Sequence, residues 1–337
     1  LCVYLQAETN SAFENCTFIE CGNRIDRFTI YDKGDNTAIN NCNFTYHKSD
    51  DNLKSPAIHI ASNKVHLITN TSISHSRCYT DGAIQFRHEG SHTSLIIENL
   101  TIDDARGTNR IIFNFALNPT STTSISDITI QNCDNLIGRT EDTSLDPGSF
   151  LDITFTQSGS FTFSKFNFIN NSCDVAHGGA VGFWLVCPRE ENDPLFPVDL
   201  VDCLFDSNRA YQVTANHPNY NGYGGGATIG GSGQAKKLVF TLTNCNFTNN
   251  SAKYGGGALC IATNQNCLIE NCNFTRNTAQ QGGAIFVPDD RVHYLTQSVC
   301  DNLTISSCIF DSNTSPEASS IYLLGRNGSP SHVYITN

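Results

Sequence analysis

Apolar and polar positions along this chain fall into short alternating runs rather than helical stripes. Leu238-Val239-Phe240-Thr241-Leu242, Ser94-Leu95-Ile96-Ile97 and Ile111-Ile112-Phe113 read as strands separated by turn residues. No long amphipathic stretch with caps indicates a helix. Many runs share the phrase apolar-x-x-Cys-x-Phe, at Phe13/Cys16/Phe18, Ile39/Cys42/Phe44, Leu200/Cys203/Phe205, Leu242/Cys245/Phe247, Ile269/Cys272/Phe274 and Ile305/Cys308/Phe310. Degenerate copies fall at Ile68/Thr71/Ile73, Ile97/Leu100/Ile102, Ile130/Cys133 and around Phe166 and Phe168. Residues two apart share one strand face, so Cys and Phe point inward together, and their immediate neighbours point out.

The anchors recur at variable distances, for example 42 residues from Cys203 to Cys245 and 27 from Cys245 to Cys272. Constant strands with variable loops, repeated many times, indicate a solenoid. One such unit cannot bury its own apolar face; stacking buries it, with strands pairing in parallel about 4.8 Å apart. The expected fold is all-β, a right-handed single-stranded parallel β-helix of roughly ten to eleven rungs and about 50 Å length. Residues 1–337 read as one such domain, clearest over 165–315 and expected to be part of a longer chain. Long insertions are expected at Pro188 to Pro197 and around Tyr211 to Tyr223.

Each clear phrase continues to Asn three after Phe and then to Gly-Gly-Ala plus an aliphatic residue, as in Gly256-Gly257-Ala258-Leu259 and Gly282-Gly283-Ala284-Ile285. Glycine permits positive φ at a corner, and alanine fits a narrow core. The asparagine amide is expected on loop backbone, in a ladder with its counterparts in adjacent rungs. Gly178-Gly179-Ala180-Val181 is a further copy and Gly225-Gly226-Ala227-Thr228 an imperfect one. Alternating Phe-x-x-Asn and Gly-Gly-Ala-aliphatic tetrapeptides resemble the polymorphic outer membrane protein (Pmp-like) repeats. That resemblance implies surface-exposed β-helical adhesins, as in Chlamydia and in surface proteins of protists such as trichomonads.

A net charge of −12 with no long basic run makes nucleic acid and anionic membrane poor partners. No segment is apolar for long enough to form a membrane-spanning helix. Fifteen cysteines without a Cys-x-x-Cys pair point to an oxidising, extracellular or cell-surface location. Cys16 and Cys42 share one repeat position, as do Cys203, Cys245, Cys272 and Cys308. Each column reads either as cross-rung disulfides or as stacked thiols acting as small hydrophobes. Cys260 and Cys267 flank a short loop and read as a local disulfide staple.

Eleven Asn-x-Ser/Thr sequons begin at Asn15, Asn43, Asn70, Asn99, Asn170, Asn246, Asn249, Asn273, Asn302, Asn313 and Asn327. In Cys-Asn-Phe-Thr the inward Cys and Phe turn Asn43, Asn246 and Asn273 outward, where covalent N-glycans are expected. Catalytic candidates are weak. Asp50-Asp51, Glu190-Glu191 and Asp289-Asp290 fall in loop-like stretches, and Asp103, Asp104 and Arg106 read as a solvated turn. Histidines such as His88 and His92 show no recurring metal-ligand spacing. No catalytic residue, metal or cofactor is expected. The function expected is an extracellular, non-enzymatic glycoprotein of adhesin type, binding a protein or glycan on a host or neighbouring cell. Tyr211, His217, Tyr220 and Tyr223 mark the expected contact loop. The alternatives are a self-assembling subunit of a filament or coat, with copies joined end to end, and a polysaccharide lyase or hydrolase.

Overall fold

The computed structural model describes residues 3–5, 10–19, 29–32, 35–45, 58–60, 65–76, 84–86, 94–107, 113–117, 123–135, 151–155, 161–173, 181–186, 196–211, 222–232, 238–262, 266–288, 300, 302–324 and 332–336. Every strand pairing among them is parallel, and the first face stacks eleven rungs. It runs from Asn10–Glu14 through Asn36–Asn40, Val65–Ser74, Ser94–Asp103, Thr123–Gln131, Phe161–Ile169, Phe196–Val201, Leu238–Thr243, Asn266–Glu270 and Asn302–Ser306 to His332–Thr336. A second arm of this face passes from Thr17–Ile19 through Asn43–Thr45 into the long strands. It leaves them through Leu204–Asp206, Asn246–Thr248, Asn273–Thr275 and Ile309–Asp311. The four long strands carry both arms, which links the arms into one pairing network. The face is nevertheless a stack and not a closed barrel, because each strand pairs only with the rung before and the rung after.

A narrow second face is built from two-residue strands, Arg106–Gly107, Asp134–Asn135, Ser172–Cys173, Arg209–Ala210 and Ser251–Ala252. The third face contains two parallel stacks. One runs from Val3–Leu5 to Leu151–Phe155. The other contains Val181–Val186, Ala227–Ser232, Leu259–Ala262, Ile285–Val287 and Ile321–Leu323. Three faces around one apolar interior make a parallel β-helix, the architecture expected from the repeated phrase.

The local rule is visible in Val65–Ser74. Two alternating in–out stretches meet out of phase, so Thr69 and Asn70 both face away from the core. A one-residue slip would normally bury the wrong set of side chains. Here a left-handed residue absorbs the slip and bends the strand. Asn15, Asn41, Asn70, Asn99, Asp127, Lys165, Asp202, Asn244, Asn271 and Ser307 all have φ between 49° and 56° at this corner. Asn and Asp tolerate that region better than other non-glycine residues. Lys165 and Ser307 are the exceptions, and the Lys165 ammonium lies 3.5 Å from Asp127 one rung below.

Inside, Ile73, Ile102, Ile130, Phe168, Phe205, Phe247, Phe274 and Phe310 form one in-register column. The five phenylalanines stack with centroids 5.1, 4.4, 5.0 and 4.9 Å apart. This register corrects the Ile130/Cys133 anchor. Ile130 occupies the Phe position, and Cys133 takes the place that Asn171 has in the next rung, where its N–H donates to Asn171 Oδ1.

The asparagine ladder forms at the second corner. Asn250 Nδ2 donates to Phe205 O at 2.8 Å and to Asn277 Oδ1 at 3.0 Å, and the Asn250 N–H donates to the same Oδ1. Asn171, Asn208 and Asn277 repeat the pattern, and Asn313 closes it. These amides are buried, and their donors and acceptors are paired along the axis, which offsets their desolvation.

The third corner explains the glycines. Gly256 has φ of 66°. A Cβ on Gly257 would lie 2.2 Å from Gly283 O and 2.5 Å from Thr278 N, so the corner closes only around hydrogen. Ala227 pairs with Leu259, so the copy in this rung is Gly224-Gly225-Gly226-Ala227, one residue earlier than the imperfect match at 225–228. Gly224, with φ of 64°, takes the place of Gly256.

Candidate functional site

The outward side of the first face holds most of the sequons. Alternation leaves Asn43 and Asn246 exposed and Asn273 half-buried, each beside an inward Phe. Asn15, Asn70 and Asn99 stand at the first corner, Asn170 and Asn249 at the second, both in the left-handed conformation. Asn302 opens a first-face strand and is exposed. Asn313 corrects the expectation for its sequon: it is 8% exposed, and its Nδ2 donates to Phe274 O at 2.8 Å. Asn327 lies outside the described residues.

Among the described residues the cysteines present no reactive centre. Cys16, Cys42, Cys203, Cys245, Cys260, Cys267, Cys272 and Cys308 are all free thiols. In the longer column each sulfur contacts the carbonyl two residues before it, at 3.2 to 3.4 Å, and lies toward the preceding rung. Cys245 N–H donates to Cys272 Sγ at 3.3 Å and Cys272 N–H to Cys308 Sγ at 3.4 Å. The thiols of the column are in contact but unbridged, so the column takes the thiol form of the two alternatives. The Cys260–Cys267 staple is also corrected. Leu259 and Ile261 face the core and Cys260 faces out against Phe286, whereas Cys267 is inside the main core. Strand alternation thus separates the two thiols by the wall of the helix. Burial pushes the Cys133 thiol up to about 12. The Cys245 thiol, followed by burial, does the same for Cys272. Such thiols stay protonated and unreactive at neutral pH.

Asp103, Asp104 and Arg106 come together at the second corner. Arg106 Nε lies 3.2 Å from Asp104 and 3.7 Å from Asp134, and His75 Nε2 lies 3.9 Å from Asp104. Asn132 Nδ2 donates to Asp103 Oδ1 at 2.8 Å. Three of these contacts, Asn132–Asp103, His75–Asp104 and Arg106–Asp134, join neighbouring rungs, and Arg106–Asp104 lies within one rung. These groups do not face one another across a groove, as two hydrolytic carboxylates must. Among the described residues no group of His, Cys, Asp or Glu is arranged to hold a metal ion. Asp50, Asp51, His88, His92, Glu190, Glu191, Asp289 and Asp290 lie outside the described residues.

The expected contact loop divides. Tyr211 is 41% exposed, but Tyr223 is a half-buried corner residue that bridges to Gly255. Its ring stacks on Phe286 at 5.5 Å and lies 5.7 Å from Tyr254. Burial, then neighbouring Cys260 and Tyr254, pushes its phenol up to about 12. His217 and Tyr220 lie outside the described residues. The repeat pattern gave no sign of the rest of this corner. Phe286 stacks on Tyr322 at 6.0 Å, Lys253 Nζ sits 5.2 Å above the Tyr254 ring, and Gln281 Nε2 donates to Glu317 at 3.1 Å. Lys253 is one rung beyond Tyr211, since its N–H donates to Ala210 O. The signal that could have found it is alternation itself. In Ile285-Phe286-Val287, inward Ile285 and Val287 leave Phe286 on the outside of the wall. There it forms a small apolar cluster of its own with Cys260 and Ala262.

Among the described residues no helix is long and apolar enough to cross a membrane. No curated protein and no solved structure matches the chain. The family comparison meets the geometry at two consecutive rungs: residues 244–262 and 271–288 match the Chlamydia polymorphic membrane protein repeat. Each match begins at the left-handed corner asparagine, Asn244 or Asn271, and runs past the glycine corner. Two consecutive turns of the β-helix thus each hold one segment similar to the Chlamydia polymorphic membrane protein repeat.

Proposed function

We propose that this chain is an extracellular, surface-displayed β-helix of adhesin type that binds and does not catalyse. The repeat matched at 244–262 and 271–288 carries this reading, because it is the repeat of a membrane-protein family and lies here in a parallel stack of rungs. The engagement of Asp103, Asp104 and Arg106 with Asn132, His75 and Asp134 of neighbouring rungs favours binding over polysaccharide cleavage.

The contact surface is the corner between the second and third faces. Tyr211, Lys253 and Tyr254 put aromatic and cationic groups side by side there, a composition that suits recognition of a protein or glycan on another cell. The test is binding of the purified chain to cell surfaces and to a glycan array. Wild type binds. A Tyr211→Ala/Lys253→Ala variant with unchanged circular dichroism loses at least tenfold in affinity. Unchanged binding by that variant would remove the corner from the reading. Depolymerisation of uronate polymers by the wild type, abolished in Asp103→Asn/Asp104→Asn, would replace binding by catalysis.

A further inference from the structure

We infer, resting on the extracellular reading above, that N-linked glycans clothe one side of the β-helix and that rung geometry selects which sequons carry them. Ten of the eleven sequon asparagines are described. Nine of these ten lie on the first face or its two corners, and the tenth, Asn313, is buried. No described third-face strand contains a sequon asparagine.

The hydrogen bonds of the side chains sort the nine further. Asn43 is exposed, and its Oδ1 accepts from Thr45 Oγ1 at 3.3 Å and Ser72 Oγ at 2.9 Å. Its amide is thereby held by the oxygen with the nitrogen turned out. Asn15 and Asn246 are likewise exposed and accept through Oδ1, from Asn41 and Asn273. In these three the ladder uses the oxygen and leaves Nδ2 to solvent. Asn70, Asn99, Asn170, Asn249, Asn273 and Asn302 instead donate Nδ2 to a neighbouring rung. Asn313 spends its nitrogen on a buried carbonyl.

The reaction at an open site forms a bond between Nδ2 and C1 of the sugar. It breaks the bond from C1 to a lipid-linked pyrophosphate donor, releases the lipid pyrophosphate and passes one amide proton to the transferase base. The product keeps one N–H. Transfer precedes folding, so the folded state decides which products survive. A sugar on Asn15, Asn43 or Asn246 projects from the first face without breaking a ladder bond. A sugar on Asn313 would have to occupy the core side of the second corner. Asn246 and Asn273 stand on adjacent strands about 4.8 Å apart, closer than two branched glycan cores pack, so occupancy of Asn246 leaves Asn273 bare. The coat covers the first face and leaves the Tyr211–Tyr254 corner open.

The test is secretory expression in a eukaryotic cell, isolation of the protease-resistant folded chain, and glycopeptide mapping. Asn15, Asn43 and Asn246 are expected occupied, Asn313 empty, and no molecule carries glycans on both Asn246 and Asn273. Asn43→Gln/Asn246→Gln/Asn273→Gln loses two glycan masses on gel mobility, and Asn313→Gln loses none. Folded chain with an occupied Asn313, or with Asn43 and Asn246 bare, overturns the inference, as does a secreted chain without glycans. Cell binding by enzymatically deglycosylated protein is scored separately. Binding that persists on a chain with the wrong glycan map sinks the map alone, and a correct map without binding sinks the adhesin reading alone.

Discussion

Rungs 65–135 and rungs 161–313 build the same coil from different parts. In the later rungs the inner column is five stacked phenylalanines, the second corner is a buried asparagine ladder, and the third corner is glycine. In the earlier rungs the same column is Ile73, Ile102 and Ile130, and the ladder positions hold Ser76, Ala105 and Cys133. The strand register does not change between them. The motif is therefore one solution to the fold and not a requirement for it. Both regions share the alternation and the left-handed corner residue that resets its phase. What the later rungs add is axial order, because the amide ladder fixes the height of each rung where apolar contacts alone are non-directional.

The largest effect should come from breaking the ring stack. Phe247 is enclosed by Phe205 and Phe274, and Phe247→Ala should cost about 3–5 kcal/mol. Phe247→Ile rebuilds the column of the earlier rungs and should cost only about 1–2 kcal/mol. Chemical denaturation compares the two. Equal losses would mean that the halves are not interchangeable at this column. Gly257→Ala follows at about 3 kcal/mol, since the new methyl meets backbone on two sides. Hydrogen exchange should show protection falling over 246–288 and holding over 94–131, because rungs contact only their neighbours.

Asn250→Ala tests the ladder directly. It strands the Asn208 N–H and one Nδ2 hydrogen and removes a donor from Phe205 O, at about 1–3 kcal/mol for a buried group left unpaired. A neutral result would show that the ladder is incidental to stability. The common element gives a smaller, symmetric effect. Asn99→Val and Asn244→Val each place a β-branched residue at φ near 52° or 56° and should cost about 1–2 kcal/mol in either region. A cost confined to one region would show that the phase reset is not shared.

The alternation of Cys and Phe made the coil, the number of rungs, the inward column and the ladder legible in the amino-acid sequence alone. Two kinds of feature escaped. Register slipped where one element was ambiguous, because Cys133 reads as a column cysteine in the sequence but sits at the ladder position, and Gly225 differs from Gly224 only in φ. The outer aromatic corner escaped for another reason. It assembles Tyr223, Tyr254, Phe286 and Tyr322 from four separated segments, and only the stacking of rungs places them together. Asn313 escaped as well, since one sequence pattern serves both an exposed acceptor and the last buried amide.

The thiols give the smallest effect at neutral pH and separate the regions by cause. Cys133, among the earlier rungs, and Cys272, among the later, are both pushed from 9.0 to about 12. Burial dominates at Cys133, and the hydrogen bond with Cys245 dominates at Cys272. A thiol with a raised folded value holds its proton where the unfolded chain has lost it. Its contribution to stability is therefore complete below about pH 9 and is lost as the pH rises toward 12. Stability measured by urea denaturation should be flat from pH 7 to about 9 and fall above that. Cys245→Ala should bring thiolate absorbance of Cys272 to lower pH and leave Cys133 unchanged, whereas Cys133→Ala should do neither. If Cys245→Ala leaves the titration of Cys272 where it was, the column thiols are not coupled, and burial alone governs both regions.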